Sequence, residues 1–360
     1  MENLGRGTVY NEVFSEEIWQ KVNPENKALL DDFVAYKKSS DKSAQTILQY
    51  YQMIRLFFCW NYEYNGDKFF VDMRKREFVK FFGHCVETFG WSPARTATVK
   101  SALSSMSNYI ENVLDDEFED FRNIVVKIET ATKQPVREKT VLDAEEIDQC
   151  LHSLVQAGKY EIACYLALAV ASGARKAELL RFKVDYFKDE NIVYGCLYIT
   201  PEKIKTKGRS SKGKMLNKYT FVNMFKPYFD LWMKWREENN VESEWLFVIK
   251  RDGEWSQATI VNANAWCDII SKYLGRTFYS HSARHRYVTM MKESKLPDSV
   301  IVELVGWSKD SGGSMCALYS DLDESQTLGD YFCKEGIKTD IKEGSIDDVG
   351  TKSTHNRHKR

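Results

Sequence analysis

Residues 162–174 constrain the fold most: thirteen consecutive positions carry no charge, and the run ends in Ser172-Gly173-Ala174. A helix rises about 1.5 Å per residue, so this run is too short to cross a ~30 Å hydrocarbon core. It reads as an apolar helix that breaks at a glycine. The chain has 360 residues. Single cores rarely grow past ~250–300 residues, so two or three domains are expected. Glycine (19) and proline (6) are too scarce for a collagen-like or low-complexity chain.

Up to about residue 128 the spacing predicts helices. Leu29, Leu30, Phe33 and Val34 mark one over 27–36, and Ile47, Tyr50, Tyr51, Ile54, Leu56, Phe57 and Phe58 mark another over 43–62. A third covers 76–89. The start signal Ser92-Pro93 precedes a fourth over 96–113. A short fifth helix is expected at 121–128. Residues 130–140 contain Pro135, lack apolar periodicity and read as a linker.

From 141 the pattern mixes types. Helices are expected at 143–157, 159–172, 175–182, 223–240, 256–274, 282–293 and 297–305, and strands at 192–199, 219–222 and 245–249. The fold class is therefore mainly α, with a small antiparallel β-sheet in the second domain. Residues 1–24 read as an N-terminal extension, and the polar segment 336–360 as a mobile tail.

Lys plus Arg number 51 and Asp plus Glu 52, a net charge of −1. Nucleic-acid binders are usually basic, so the total alone does not suggest one. The distribution does. Residues 201–220 hold seven basic residues and one acid, while acids concentrate at 115–120 and 301–340. The eight cysteines stand singly, with no CxxC or zinc spacing, and no secretory signal opens the chain. Reduced thiols in a cytoplasmic protein, with no membrane partner, are the expectation.

Four features then stand in order. Ser172-Gly173-Ala174-Arg175-Lys176-Ala177-Glu178 puts an arginine at a helix start after a sharp turn, with a glutamate three residues on. By itself this suits a surface ion pair equally well. Next, Lys203, Lys205 and Lys207 would share one face of a strand at period two, with Arg209, Lys212 and Lys214 in the following turn. Such a row matches a phosphate backbone, or is a solvated hairpin. Third, Ser280-His281-Ser282-Ala283-Arg284-His285 places His281, Arg284 and His285 on one helical face. An imidazole can move a proton near neutral pH, and a guanidinium fork fits a phosphate. Last come Gly306-Trp307 and Tyr319, an indole donor and a potential oxygen nucleophile.

Arginine, hairpin lysine, His-x-x-Arg-His, Gly-Trp and tyrosine, in this order, resemble the tyrosine recombinase family, the phage integrases. The resemblance covers roughly 141–325 and implies a two-domain architecture: a helical core-DNA-binding domain at 25–129, the linker 130–140 and a catalytic domain at 141–335. It implies that Arg175 and Arg284 clamp the scissile phosphate. Lys207 protonates the leaving 5′ oxygen, with Lys205 as the competing lysine. His281 hydrogen-bonds the phosphate or assists proton transfer from the nucleophile, Trp307 donates a further hydrogen bond and packs against the nucleophile's helix, and Glu178 and His285 orient the site. Tyr319 attacks to form a 3′-phosphotyrosine, with Tyr331 as a backup because the gap after Trp307 is longer than usual, Ser311-Gly312-Gly313-Ser314 reading as an insertion. DNA-binding roles fall to Lys203, Lys205, Arg209, Lys212 and Lys214.

The implied function is site-specific recombination, integrating or excising a mobile element through a Holliday junction. The implied partners are duplex DNA carrying recombination sites, a homotetramer on synapsed DNA (monomeric or weakly associated when free) and a directionality factor. No cofactor and no metal are implied, because the phosphotyrosine conserves the bond energy. Two other readings use the same residues: a type IB topoisomerase or resolvase-like strand transferase, and a catalytically silent DNA-binding protein.

Overall fold

The computed structural model describes residues 14–40, 42–131, 142–205, 215–307, 312–319, 332–333 and 336–337. The first set of helices is α1 (Glu16–Lys21), α2 (Pro24–Ser39), α3 (Ala44–Asn65), α4 (Lys75–Phe89) and α5 (Pro93–Val113). The starts of α1, α2 and α5 follow from side-chain caps. Ser15 Oγ accepts from Ile18 N at 3.0 Å, Asn23 caps α2 ahead of Pro24, and Ser92 caps α5 ahead of Pro93. The first helix was not foreseen within the extension 1–24.

One aromatic core joins these helices. Phe57 stacks on Phe78 with centroids 5.2 Å apart and meets Phe81 edge-on at 4.9 Å. Buried Asn26 donates to Lys68 O and accepts from Phe70 N, both at 2.9 Å, pinning the α3–α4 connection to α2. The expected fifth helix is only a 3₁₀ turn, Val125–Lys127. Asn123 explains it: its amide bonds Ser104 O and Asn108 Oδ1 on α5, and its Oδ1 accepts from Val126 N at 3.2 Å. This side chain competes with helical hydrogen bonding.

A second core forms around α7 (Tyr160–Ser172), whose residues from Ile162 to Ser172 are all buried. A helix apolar on every side must be surrounded. It packs against α6 (Ala144–Gln156), α9 (Val222–Glu238), α10 (Ile260–Leu274) and α11 (Ser280–Glu293). The short α8 (Lys176–Leu179) follows α7, while α12 (Asp298–Val305) and α13 (Gly312–Tyr319) pack on each other.

The expected strand 192–199 is instead a hairpin, β1 (Ile192–Val193) and β2 (Leu197–Ile199). Tyr194 (φ 53°) and Gly195 (φ 72°) turn the chain in the left-handed region. Strand β5 (Tyr219–Phe221) pairs antiparallel with β2, Leu197 opposite Phe221, giving the sheet order β1-β2-β5. Strands β3 (Ile204–Lys205) and β4 (Met215–Leu216) form the base of the lysine hairpin. The expected strand 245–249 lies further on, as β6 (Val248–Arg251) paired with β7 (Glu254–Gln257) across Asp252-Gly253, so α10 begins later than expected. Near the C-terminus β8 (Phe332–Cys333) pairs with β9 (Gly336–Ile337).

Candidate active site

The site starts where α7 ends. Gly173 takes φ +56°, and a Cβ there would lie 2.4 Å from the Tyr287 ring, so both backbone and space exclude a side chain. The turn delivers Arg175 to the start of α8. Its backbone N–H donates to Glu178 Oε2 and its Nη1 to Glu178 Oε1, each at 3.0 Å. This is not a surface pair: Glu178 is 1% exposed.

A third group completes the pair. Lys218, also 1% exposed, puts Nζ 3.0 Å from Glu178 Oε2 and 3.4 Å from the Val305 carbonyl. Burial alone would raise the Glu178 pKa; the Lys218 ammonium and the Arg175 N–H and guanidinium outweigh it and hold the carboxyl below its ordinary range. Burial lowers the Lys218 pKa, against the raising effect of Glu178. The Thr200 hydroxyl, just past β2, fixes this lysine, accepting from Lys218 N at 3.0 Å.

Helix α11 brings the second arginine. Its first turn is tied down by Ser280, whose hydroxyl meets Tyr165 Oη at 2.9 Å. One turn later Arg284 is buried; Nη1 donates to Gly173 O at 2.7 Å and Nη2 to Val305 O at 3.3 Å. Its guanidinium lies 5.2 Å from the centroid of the buried Trp307 ring. Gly306, at φ +77°, ends α12 and lets Trp307 N return to Val302 O at 3.0 Å. A Cβ at Gly306 would meet Leu216 Cδ1 at 2.6 Å. The Gly-Trp turn therefore seats on the lysine hairpin's second strand.

His281 is exposed at the start of α11. Partial desolvation of its ring, then the electrostatic influence of Arg284, Arg175, His285 and Lys176, hold its pKa below the ordinary 6.5. Near neutral pH the imidazole is therefore uncharged and able to accept a proton. His285 is half-buried on the same helix.

The structure thus links Arg175, Glu178, Lys218 and Arg284 through shared acceptors, with Trp307 against the Arg284 guanidinium and His281 and His285 on the helix that carries Arg284. Lys203 and Lys205 are exposed, and the Lys205 carbonyl accepts from Arg181 Nη1. Lys207, Arg209, Lys212, Lys214 and Tyr331 lie outside the described residues. Tyr319 is the last residue of α13, of which only the backbone is described there. Gly312 and Gly313 open α13, and a Cβ at Gly312 would lie 2.4 Å from Val302 Cγ2. The glycine permits close approach of α13 to α12.

Sequence reasoning missed Lys218, counting it only as part of a basic cluster. Its signal was weak: a lysine entering a strand looks like a solvated one. Among the described residues no group of three or more His, Cys, Asp or Glu could hold a metal ion, and no helix is long and apolar enough to cross a membrane.

The phage integrase family model matches residues 140–325. The SPbeta prophage-derived recombinase-like protein YomM of Bacillus subtilis (strain 168) is 29% identical over 295 residues, 81% of this chain and 85% of that protein. The XerH site-specific recombinase, solved with a palindromic difH substrate in a post-cleavage complex, superposes with TM-score 0.60 at 18% identity, covering 81% of each chain. A lambda integrase dimer bound to a COC′ core site gives TM-score 0.59 at 17% identity over 86% of this chain and 81% of that one. The Tn1549 transposon integrase with circular intermediate DNA gives 0.58 at 15% identity over 83% and 98%. At these identities the structures speak for the fold, and the family match spans the residues that build the site. The chain belongs to the phage integrase family of tyrosine recombinases.

Proposed function

We propose that this chain is a site-specific DNA recombinase that cuts and rejoins DNA through a 3′-phosphotyrosine intermediate. The observation that carries the reading is the junction of Arg175 and Arg284. Arg175 is held on Glu178, and Arg284 on the carbonyls of Gly173 and Val305, so two distant motifs converge on one place. Two preorganised guanidinium groups suit the charge that grows on the non-bridging oxygens of a phosphodiester in its transition state.

In this reading the Tyr319 oxygen attacks phosphorus and the bond to the 5′ oxygen breaks. His281, uncharged near neutral pH, assists removal of the tyrosine proton. Lys207 gives a proton to the departing 5′ oxygen, and Trp307 supports Arg284. The reverse step, with a 5′ hydroxyl from a partner strand, restores the phosphodiester and frees the tyrosine. The bond count is unchanged throughout, so the chemistry itself calls for no nucleotide cofactor.

The substrate is duplex DNA carrying paired recognition sites, bound by a helical domain at 25–129 and a catalytic domain at 141–335. Four protomers act on two synapsed sites and pass through a Holliday junction. The relatives named above that were solved with DNA substrates support this choice of partner. The prophage origin of the recombinase-like relative supports a mobile element as the DNA served.

The test sequences the DNA flanking the gene for inverted repeats and uses two labelled duplexes that carry them. Recombinant products and a four-way junction are expected. Relaxation of supercoiled DNA with no exchange between duplexes would assign the chain to the topoisomerase-like reading instead. Binding without any cleavage would assign it to the silent one.

A further inference from the structure

The Glu178 carboxylate receives three donors. Its Oε1 takes Arg175 Nη1, and its Oε2 takes both the Arg175 backbone N–H and Lys218 Nζ, all at 3.0 Å. Lys218 reaches in the other direction too: the Val305 carbonyl accepts from its Nζ at 3.4 Å and from Arg284 Nη2 at 3.3 Å. One buried ammonium therefore stands between the two arginines, linked to each through a single shared acceptor.

This matters for what Arg175 can do. A carboxylate and a guanidinium tend to pair fork to fork through two parallel hydrogen bonds. Here Lys218 and a backbone N–H occupy Oε2, and the side-chain pairing of Arg175 with Glu178 runs through Nη1 alone. The guanidinium remains partly exposed, with 26% of the side chain accessible. A buried carboxylate deprived of its second cation would draw the whole fork inward, because an uncompensated charge in the interior is costly.

We propose that Lys218 is a positioning residue for strand transfer, holding Glu178 so that Arg175 stays turned toward the phosphate. It acts through Glu178 and touches no reacting atom. The proposal rests on the phosphotyrosine reading above.

The test compares the full-length wild type with K218M, E178Q and the double variant E178Q/K218M on a nicked duplex that traps the covalent adduct. Adduct rate at saturating DNA, DNA dissociation constant and urea midpoint are read in parallel. K218M is expected to slow adduct formation about 10²-fold, the cost of a misplaced catalytic group, with the dissociation constant changed less than about threefold. Because Lys218 acts through Glu178, adding K218M to E178Q is expected to change the rate less than about threefold. Should K218M alone not fold, this second comparison decides the matter, since the double variant buries neither charge.

Wild-type rate in K218M would overturn the proposal. So would a further loss of about tenfold or more on adding K218M to E178Q, which would make the lysine act directly on the phosphate. A wild type that forms no adduct at all defeats the recombinase reading itself, and this inference with it.

Discussion

Arg284 rests on Gly173: its Nη1 donates to the glycine carbonyl at 2.7 Å. The arginine of one motif is thereby seated on the turn that launches the other. A lysine at 284 has one ammonium and cannot hold the Gly173 and Val305 carbonyls while stacking on Trp307. Arg284→Lys is expected to slow covalent adduct formation by about 10²–10³-fold. Single-turnover cleavage of a nicked duplex measures this, and a loss below tenfold would contradict it.

Gly173 is required twice over, by its positive φ and by the Tyr287 ring 2.4 Å from where a Cβ would stand. Gly158 also has positive φ (+68°), but with nothing within 4 Å of such a Cβ. Gly173→Ala should therefore cost about 3 kcal/mol, summing backbone strain and overpacking, and Gly158→Ala about 1. Urea unfolding of the two variants gives the comparison; equal losses would show that the ring contact is unimportant.

The lowered pKa of His281 has a definite sign. The unfolded chain takes this proton near 6.5 and the folded one only at lower pH. The group's contribution to stability is complete above the unfolded value and is lost as pH falls through the folded one. If cleavage uses the uncharged ring, as proposed, it should be level near pH 7 and decline on acidification below about 6.5, with an inflection at the folded pKa. A pH–rate profile checks this, and His281→Asn should lower the plateau and remove that acidic inflection.

Lys207 and Lys205 separate by leaving-group chemistry. A duplex whose 5′ bridging oxygen is replaced by sulfur expels a thiolate, which needs little protonation. The rate of the variant lacking the general acid should recover on this substrate, while a lysine that only contacts the backbone should show no such rescue. Recovery is expected for Lys207→Ala and not for Lys205→Ala.

Much of this arrangement was legible because it depends on local order. Gly173, Arg175 and Glu178 sit within six residues of sequence, and His281 and Arg284 share a helical face, so spacing alone placed them together. The apolar run at 162–172 announced the buried α7. Partners from distant strands were not legible. Lys218 looks like any surface lysine until β5 pairs with β2 and carries it under Glu178. The hairpin at Val248–Gln257 did carry a readable signal, since Asp252 (φ 50°) and Gly253 (φ 88°) form the two-residue turn that an Asp-Gly pair favours. The charges around it made it resemble a loop. The 3₁₀ turn at Val125–Lys127 was hidden because Asn123 spends its side chain on α5, which only the folded chain reveals.

One tyrosine is proposed to carry the DNA, and trapping the adduct identifies it. A nicked duplex whose short 3′ product strand leaves after cleavage should lock the protein to DNA. Proteolysis and mass spectrometry should then place the phosphodinucleotide remnant on Tyr319, and Tyr319→Phe should form no adduct. A remnant on Tyr331, or an adduct that persists in Tyr319→Phe, would contradict the account.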